Sequence, residues 1–533
     1  MVAIPELREW YGLHRCPVRP YDHQVIGIDA LVKRPFFLLA DEMGAGKTIQ
    51  TIVAAQLLFE AGTIDRLLVI APAGVRAVWF DQEMGELRRH LFVPARITEF
   101  HARLRQWTVQ PTTTPSDRVL DIYITNYDFI RAKARLHQLL PFCSPKTMLV
   151  LDESSAVKNA QAQQTKAVLQ LRRACGRVVL LNGTPIANHP GDMYSQGNIM
   201  SSRILNCPSY TQFCHRFASM KPILGPGGRP VVSPRTGRPI FAPDSWTGIE
   251  VIQKSFGPYV LRRLKKDCLD LPDKLSPVIW TVPLDDRTWK VYKAMRDDLV
   301  AWISDASMSM APQIITKIMR LAQITSGFLG GIETLSLDDG AENPVLDIDA
   351  PPTETAVQEV GREKLDLLLE RLDAFLGEDP NLKVVIWSRF TPELQRAVSE
   401  ARARWPSIPM GVVAGGQKKV DREEALRLLH PDTAPAGPAF IFGNPQSGGL
   451  GVNFTAADKM IYISRDYSLY RRLQADDRIH RPGQRRPAGY FDILATGPRG
   501  QKTVDHDIYT ALVVKENLAE RTTSAWVKSL RTE

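Results

Sequence analysis

The chain alternates short, uninterrupted apolar runs with longer stretches of helical periodicity. In its first third the runs are PFFLLA (35–40), RLLVIAP (66–72), VLDIYITN (119–126), TMLVLDE (147–153) and RVVLLNGT (177–184). Each is rich in branched apolar residues and closes on a polar turn. A run without polar alternation predicts a strand buried on both faces, as in a parallel sheet. The helical patterns between the runs predict a doubly wound α/β domain, whose ligands bind at the carboxyl ends of the strands. The polar motifs fall at those ends.

The rhythm breaks after about Pro190. The segment KPILGPGGRPVVSPRTGRPIFAPDSW (221–246) is rich in Pro and Gly and carries basic residues. It reads as an inserted loop or hairpin, either a solvated linker or an element that touches DNA. Residues 335–360 are acidic and Pro-containing and predict a flexible insertion. The α/β rhythm returns with KVVIWS (383–388), PMGVVAG (409–415), AFIFGN (439–444), KMIYIS (459–464) and GYFDIL (489–494). The expected division is a first lobe over 1–275, with an insertion at about 190–258, a bridge and acidic insertion over 276–360, and a second lobe over 361–533.

Composition narrows the class. Of 533 residues, 44% are hydrophobic and 23% charged, ordinary for a globular protein with large cores. The net charge of +9 suits a polyanionic partner, and equally a basic enzyme without one. The six cysteines are scattered without a C-x-x-C pair, and Cys207, Cys214 and His215 are too few for a zinc site. That usage points to a reducing, intracellular compartment. The first residues, MVAIPELREWYG, lack a basic region followed by an apolar one, so no signal peptide is expected. No apolar run approaches the ~20 residues that cross a bilayer.

The chemistry begins at DEMGAGKT (41–48), set between an apolar strand and a helix. That context is what a phosphate-binding loop requires. Gly44 and Gly46 admit phosphates close to the backbone, and the helix amino end offers free N–H groups. Lys47 can reach the β/γ-phosphates of ATP, and Thr48 can ligate Mg²⁺. Asp41 stands where the strict motif has its first Gly. LVLDESS (149–155) brings Asp152 and Glu153 to a strand end. Asp152 can hold Mg²⁺, and Glu153 can orient and deprotonate an attacking water.

These motifs resemble the Snf-type branch of the superfamily-two helicases, the branch of chromatin remodellers and related DNA translocases. The resemblance runs from about residue 17 to about 510. It implies two RecA-like lobes with helical and loop insertions and an ATP cleft between them. RPYDHQVIGIDAL (19–31) resembles the branch's Gln motif, implying that Gln24 meets the adenine edge. Met43, Gly44, Ala45, Gly46, Lys47 and Thr48 would form the nucleotide loop. LLVIAPAGVRAVW (67–79) and ITNYDFI (124–130) resemble segments that contact the DNA backbone, implying Pro72, Thr125 and Asn126; Lys158, Arg389, Gly448 and Gly449 are further candidates. LLNGTPIAN (180–188) resembles the motif that couples nucleotide to DNA, and VLRRLKKDCLDLPDK (260–274) the bridge between lobes. QSGGLGVNFTAADKMIYIS (446–464) and QADDRIHRPGQ (474–484) resemble the fifth and sixth motifs, implying Gly451 and Asn453 at the nucleotide. Arg478 and Arg481, three apart, would share one helical face and stabilise charge at the γ-phosphate. In the alternative they only balance neighbouring acids. Ser154, Ser155 and Asn182 depart from the branch's usual residues, at positions that belong to ATP–DNA coupling.

The resemblance thus implies a DNA-dependent ATPase that uses ATP and Mg²⁺ to move along double-stranded DNA, remodelling protein–DNA complexes or branched DNA. The branch usually tracks duplex DNA without unwinding it, and the resemblance implies the same here. A strand-separating helicase and an ATP-regulated clamp without hydrolysis are the two alternatives. A monomer in the cytoplasm of a prokaryotic or phage-infected cell is expected ahead of a nuclear protein.

Overall fold

The computed structural model describes residues 19–516, except 74, 83–84, 102–103, 110–117, 184–189, 224–228, 234–236, 306–310, 331–356, 416, 418, 446–451 and 515. The chain forms two compact units. The first takes the described residues through Met220 together with Pro243–Asp270, and the second takes Lys221–Ala242 and the described residues from Leu271 onward.

In the first unit β1 (Phe36–Leu39), β2 (Arg66–Ala71), β3 (Ala95–Glu99), β4 (Arg105–Val109), β5 (Leu120–Asn126), β6 (Thr147–Leu151) and β7 (Arg177–Leu181) follow one another. The insertion then contributes β8 (Ala218–Pro222) and β9 (Phe241–Trp246), which pair with each other and are continued by an antiparallel bridge between Val232 and Pro239. It is a hairpin. A short β10 (Val260–Leu261) closes the main sheet, whose order is β10-β1-β7-β6-β2-β5-β3-β4. Every pair is parallel except β3 with β4.

The strands are continuously apolar because both faces are covered. In β2, Leu67 and Val69 join the core on one side, while Leu68 and Ile70 join the core on the other. The helix Lys47–Glu60 is deeply enclosed: every residue from Ile49 to Phe59 is buried. It stops where Gly62 adopts φ +72° and its N–H returns to the Phe59 carbonyl, a glycine stop at the carboxyl end.

The second unit contains β11 (Val278–Pro283), a minor antiparallel pair of β12 (Phe328–Leu329) and β13 (Gln358–Glu359), then β14 (Lys383–Trp387), β15 (Met410–Val413), β16 (Ala439–Gly443), β17 (Lys459–Tyr462) and β18 (Gly489–Thr496). Its sheet has the order β11-β18-β17-β14-β16-β15 and is wholly parallel. Val384 and Ile386 face one core, Val385 and Trp387 the other. Each unit is a RecA-like α/β lobe. All ten strands read from the apolar runs are present. The change of unit falls between Asp270 and Leu271, and β11, inside the stretch read as bridge, is a strand of the second sheet. Of the acidic insertion, residues 331–356 lie outside the described residues. Among the described residues no helix is long and apolar enough to cross a membrane.

Candidate nucleotide site

The loop after β1 has the backbone a phosphate cradle needs. Gly44 and Gly46 adopt φ +79° and +78°, the left-handed region that glycine enters without steric cost. A Cβ on Gly46 would lie 2.1 Å from Nε2 of Gln24. Gln24 is buried against this loop: its Nε2 donates to the Ala45 carbonyl at 3.3 Å, and its Oε1 accepts from the Tyr21 N–H at 3.0 Å. Met43 and Ala45 are buried. The helix that begins at Lys47 points its amino end into the loop, and Thr48 occupies its first turn.

The Lys47 ammonium donates to the carbonyls of Asp41 (2.8 Å) and Glu42 (3.3 Å). Burial lowers its pKa, and the nearby charges of Glu153, Asp41 and Asp152 work against that shift. Lysine and both acids therefore share one electrostatic neighbourhood. Asp152 follows β6 directly and is buried. Its Oδ2 accepts from the Trp79 indole at 2.7 Å, and its Oδ1 from the Glu153 N–H at 3.0 Å. Burial, then the adjacent Glu153 carboxylate, push its pKa up to about 6 against the pull of Trp79 and Lys47. Glu153 adopts φ +50°, ψ +57°. A left-handed backbone costs an L-residue about 1–2 kcal/mol, so surrounding contacts must hold the turn.

Two of those contacts involve the departures noted in the sequence. Ser154 and Asn182 both donate to Oε1 of Gln196, at 2.9 and 3.3 Å. All three side chains are fully buried. The ends of β6 and β7 are thereby joined through one amide on the helix Asp192–Met200.

A second brace comes from residues after β10. Arg263 forms a bidentate pair with Asp41, donating from Nε to Oδ1 at 2.9 Å and from Nη2 to Oδ2. Arg262 donates to the Ala40 (3.1 Å) and Gly183 (2.7 Å) carbonyls at the ends of β1 and β7, and burial lowers its pKa to about 10. The carboxylate of Glu42 accepts from the Lys265 N–H at 2.8 Å. Trp79, Arg262, Arg263 and Gln196 were not foreseen as site residues. Only the fold reveals them: a fully buried carboxylate at position 41 demands a cation, and a buried indole demands an acceptor.

The remaining candidates divide. Arg478 and Arg481 do not share a helical face: the helix Leu469–Asp476 has ended before both. Pro482 disfavours helical backbone at Arg481, and Gly483 turns the chain at φ +103°. Arg478 is buried on that turn, its carbonyl accepting from the Phe454 N–H at 3.0 Å. Arg481 donates to the Val452 carbonyl at 3.0 Å and pairs with Asp477 at 3.3 Å. Asn453 accepts from the Thr455 N–H. Among the DNA candidates, Thr125 is fully buried and donates to the Phe100 carbonyl at 3.0 Å, so its side chain cannot reach a backbone phosphate. Asn126 is also buried and caps the helix Tyr127–Arg131 by accepting from the Phe129 N–H at 2.7 Å. Pro72, Lys158 and Arg389 are half-buried. Gly448, Gly449 and Gly451 lie outside the described residues.

Two RecA-like lobes, the first carrying a phosphate loop with an acid pair beside it, define the class of helicase-like proteins. Within that class the chain belongs to the SNF2-related domain family, whose model matches residues 30–327, more than half of it. It is similar to a Caenorhabditis elegans homolog of the SWI/SNF-related matrix-associated actin-dependent regulator of chromatin subfamily A containing DEAD/H box 1. They are 23% identical over 93% of this chain and 50% of the relative. Subfamily A member 1 from Mus musculus is 26% identical over 91% of this chain and 42% of its own length. The chain therefore spans half or less of these relatives. A solved structure, the Sulfolobus solfataricus SWI2/SNF2 ATPase core in complex with dsDNA, matches 95% of this chain and 93% of its own at 23% identity, with a TM-score of 0.39. The two curated relatives are eukaryotic and give no support to the prokaryotic or phage setting expected above.

Proposed function

We propose that the chain is a DNA-dependent ATPase that couples hydrolysis to movement along double-stranded DNA. The observation that carries this reading is the convergence of Lys47, Asp152 and Glu153 at the amino end of one buried helix. The glycine-lined loop, the free N–H groups of that helix and Lys47 fit the phosphates of ATP. Thr48 and Asp152 would hold Mg²⁺, which when bound neutralises charge on the phosphates. Glu153 orients the attacking water and takes its proton. Gln24 bears on the nucleotide end of the loop, with Gly451 and Asn453 as contributors from the second lobe. Arg478 and Arg481 supply positive charge during turnover, an effect worth ~10³–10⁵ in rate in related NTPases. Pro72, Lys158, Arg389, Gly448 and Gly449 remain proposed backbone contacts, and such contacts carry no sequence information. A monomer, with lobes dividing near residue 270, completes the reading.

The test is ATP turnover with duplex and with single-stranded DNA, beside triplex displacement. Duplex should stimulate more, and Lys47→Ala and Glu153→Gln should each lower turnover by at least ~10², as loss of a transition-state stabiliser does. Stimulation by single strands alone would replace this reading with a strand-separating helicase. Equal background rates in wild type and both variants would leave an ATP-regulated clamp.

A further inference from the structure

Two cysteines meet in the first lobe, at the amino ends of strands whose carboxyl ends carry Asp152 and Asn182. Cys143 lies just before β6 and Cys175 just before β7, and these strands pair in parallel. The two lead-in segments are pressed together: a Cβ on Gly176 would fall 2.0 Å from the Pro145 carbonyl oxygen. The Cys175 thiol donates a hydrogen bond to the Cys143 sulfur, and the Cys143 thiol donates in turn to the Leu139 carbonyl at 3.7 Å. Cys143 is half-buried, while Cys175 is buried at the carboxyl end of the helix Gln163–Ala174. The nucleotide chemistry uses neither thiol.

The pair is chemically unequal. The hydrogen bond from Cys175 lowers the pKa of Cys143; burial opposes that shift, and the charge of Arg66 adds to it. The same hydrogen bond, then burial, then the charge of Cys143 push the Cys175 thiol up, against the pull of Arg172. Cys143 therefore ionises first, and the thiolate is the form that attacks. A solvent-reaching cysteine of lowered pKa beside a second cysteine is the arrangement of redox-sensing thiols. In a reducing compartment the disulfides that do form are mostly transient ones of this kind.

We propose that Cys143 and Cys175 form a peroxide-sensitive dithiol, in which Cys143 is oxidised first and Cys175 then closes a reversible disulfide onto it. The Cys143 sulfur attacks one peroxide oxygen. The O–O bond breaks, and the departing hydroxide takes a proton to become water. Cys143 is now a sulfenic acid and the peroxide is reduced. That step removes the charge that held the Cys175 proton in place. The Cys175 sulfur attacks the Cys143 sulfur, the S–O bond breaks, and hydroxide leaves with the Cys175 proton as a second water. An external dithiol reverses the bond by exchange. The closed loop contains Asp152 and Glu153, so the cross-link restrains the stretch of chain that carries the acid pair. The inference goes beyond the nucleotide reading and does not depend on it.

The experiment treats the full, folded chain with hydrogen peroxide, quenches it in acid, blocks free thiols with N-ethylmaleimide and digests it with trypsin. Mass spectrometry should find LHQLLPFCSPK (136–146) joined to ACGR (174–177), and dithiothreitol should separate them. Without peroxide, Cys143 should be alkylated at least about tenfold faster than Cys268, which is also half-buried but whose thiol burial pushes up. Cys175→Ala should leave Cys143 as a sulfenic acid that dimedone traps. Cys143→Ser should leave Cys175 reduced at the same dose. Cys175 is buried, so if its variant fails to fold, Cys143→Ser decides. No linked peptide at a dose that fully oxidises free glutathione overturns the proposal. So does equal oxidation of Cys175 in the Cys143→Ser chain. The readout is covalent, so an inactive ATPase leaves the test standing.

Discussion

Asp41 and Arg263, 222 residues apart in sequence, form a buried ion pair beneath the phosphate loop. The carboxylate is fully buried and the guanidinium side chain is 13% exposed. Removing one partner of such a pair costs about 3–5 kcal/mol, because the other charge is left uncompensated. Arg263→Ala should lower stability in urea unfolding by that order. Adding Asp41→Asn should restore part of the loss. Additive losses would show that each residue acts alone.

Trp79 gives the acid pair its clearest hydrogen bond. Trp79→Phe keeps most of the buried ring and removes only the donor to Asp152. A hydrogen bond to a charged group is worth about 1.5–3 kcal/mol. ATP turnover should therefore fall by roughly ten- to a hundredfold, with stability changing less than in a Trp79→Ala chain. Unaltered turnover would mean that the indole merely fills space.

Gln196 joins the turn after β6 to the end of β7. Gln196→Leu removes the acceptor shared by Ser154 and Asn182 while keeping bulk. We expect the ratio of DNA-stimulated to basal ATPase rates to drop severalfold, with the KM for ATP little altered. Gln196→Glu, which retains an acceptor, should restore more of the ratio than Leu does. If both variants stimulate like wild type, the bridge is structural only.

Gly46→Ala tests the loop directly. The left-handed backbone would cost alanine about 1–2 kcal/mol, and the new methyl would collide with Gln24. Nucleotide affinity should fall at least tenfold in a fluorescent-nucleotide titration. Coupling this change to Gln24→Ala should recover part of the steric share. No recovery would place the whole cost in the backbone.

Glu393 provides a pH test away from the nucleotide. Its carboxyl is buried among Ser388, Ser464 and Lys364, and burial raises its pKa above the ordinary carboxylate value. The folded chain therefore keeps a proton that the unfolded chain has released. That contribution to stability is present below the unfolded value and is lost as pH rises through the folded one. Glu393→Gln cannot titrate. Its stability relative to wild type should improve as pH is raised from about 4 to 7, followed by urea midpoints. The opposite trend would show that Lys364 and the serines hold the carboxylate charged.

The main strands and the nucleotide loop were legible in the sequence because both rest on local pattern. A strand buried on both faces announces itself by unbroken apolar residues, and the glycines of 41–48 sit where a strand becomes a helix. What escaped was polar or distant. In β3 (ARITE) and β4 (RQWTV) polar residues interrupt the apolar ones, and β10 is too short to show a period. Arg262 and Arg263 are set against the loop by three-dimensional pairing alone, which no spacing reveals. Arg478 and Arg481 carried helical spacing, yet the helix Leu469–Asp476 ends before either.

The short β10 also sets how this lobe can be cut. A recombinant fragment ending after β7 would contain every nucleotide motif of the first lobe. It would nevertheless expose the long side of β1 as a free sheet edge, an invitation to intermolecular strand addition and aggregation. Asp41 would be entombed without its cation. Workers who want a soluble, nucleotide-competent half should keep the chain through Asp270.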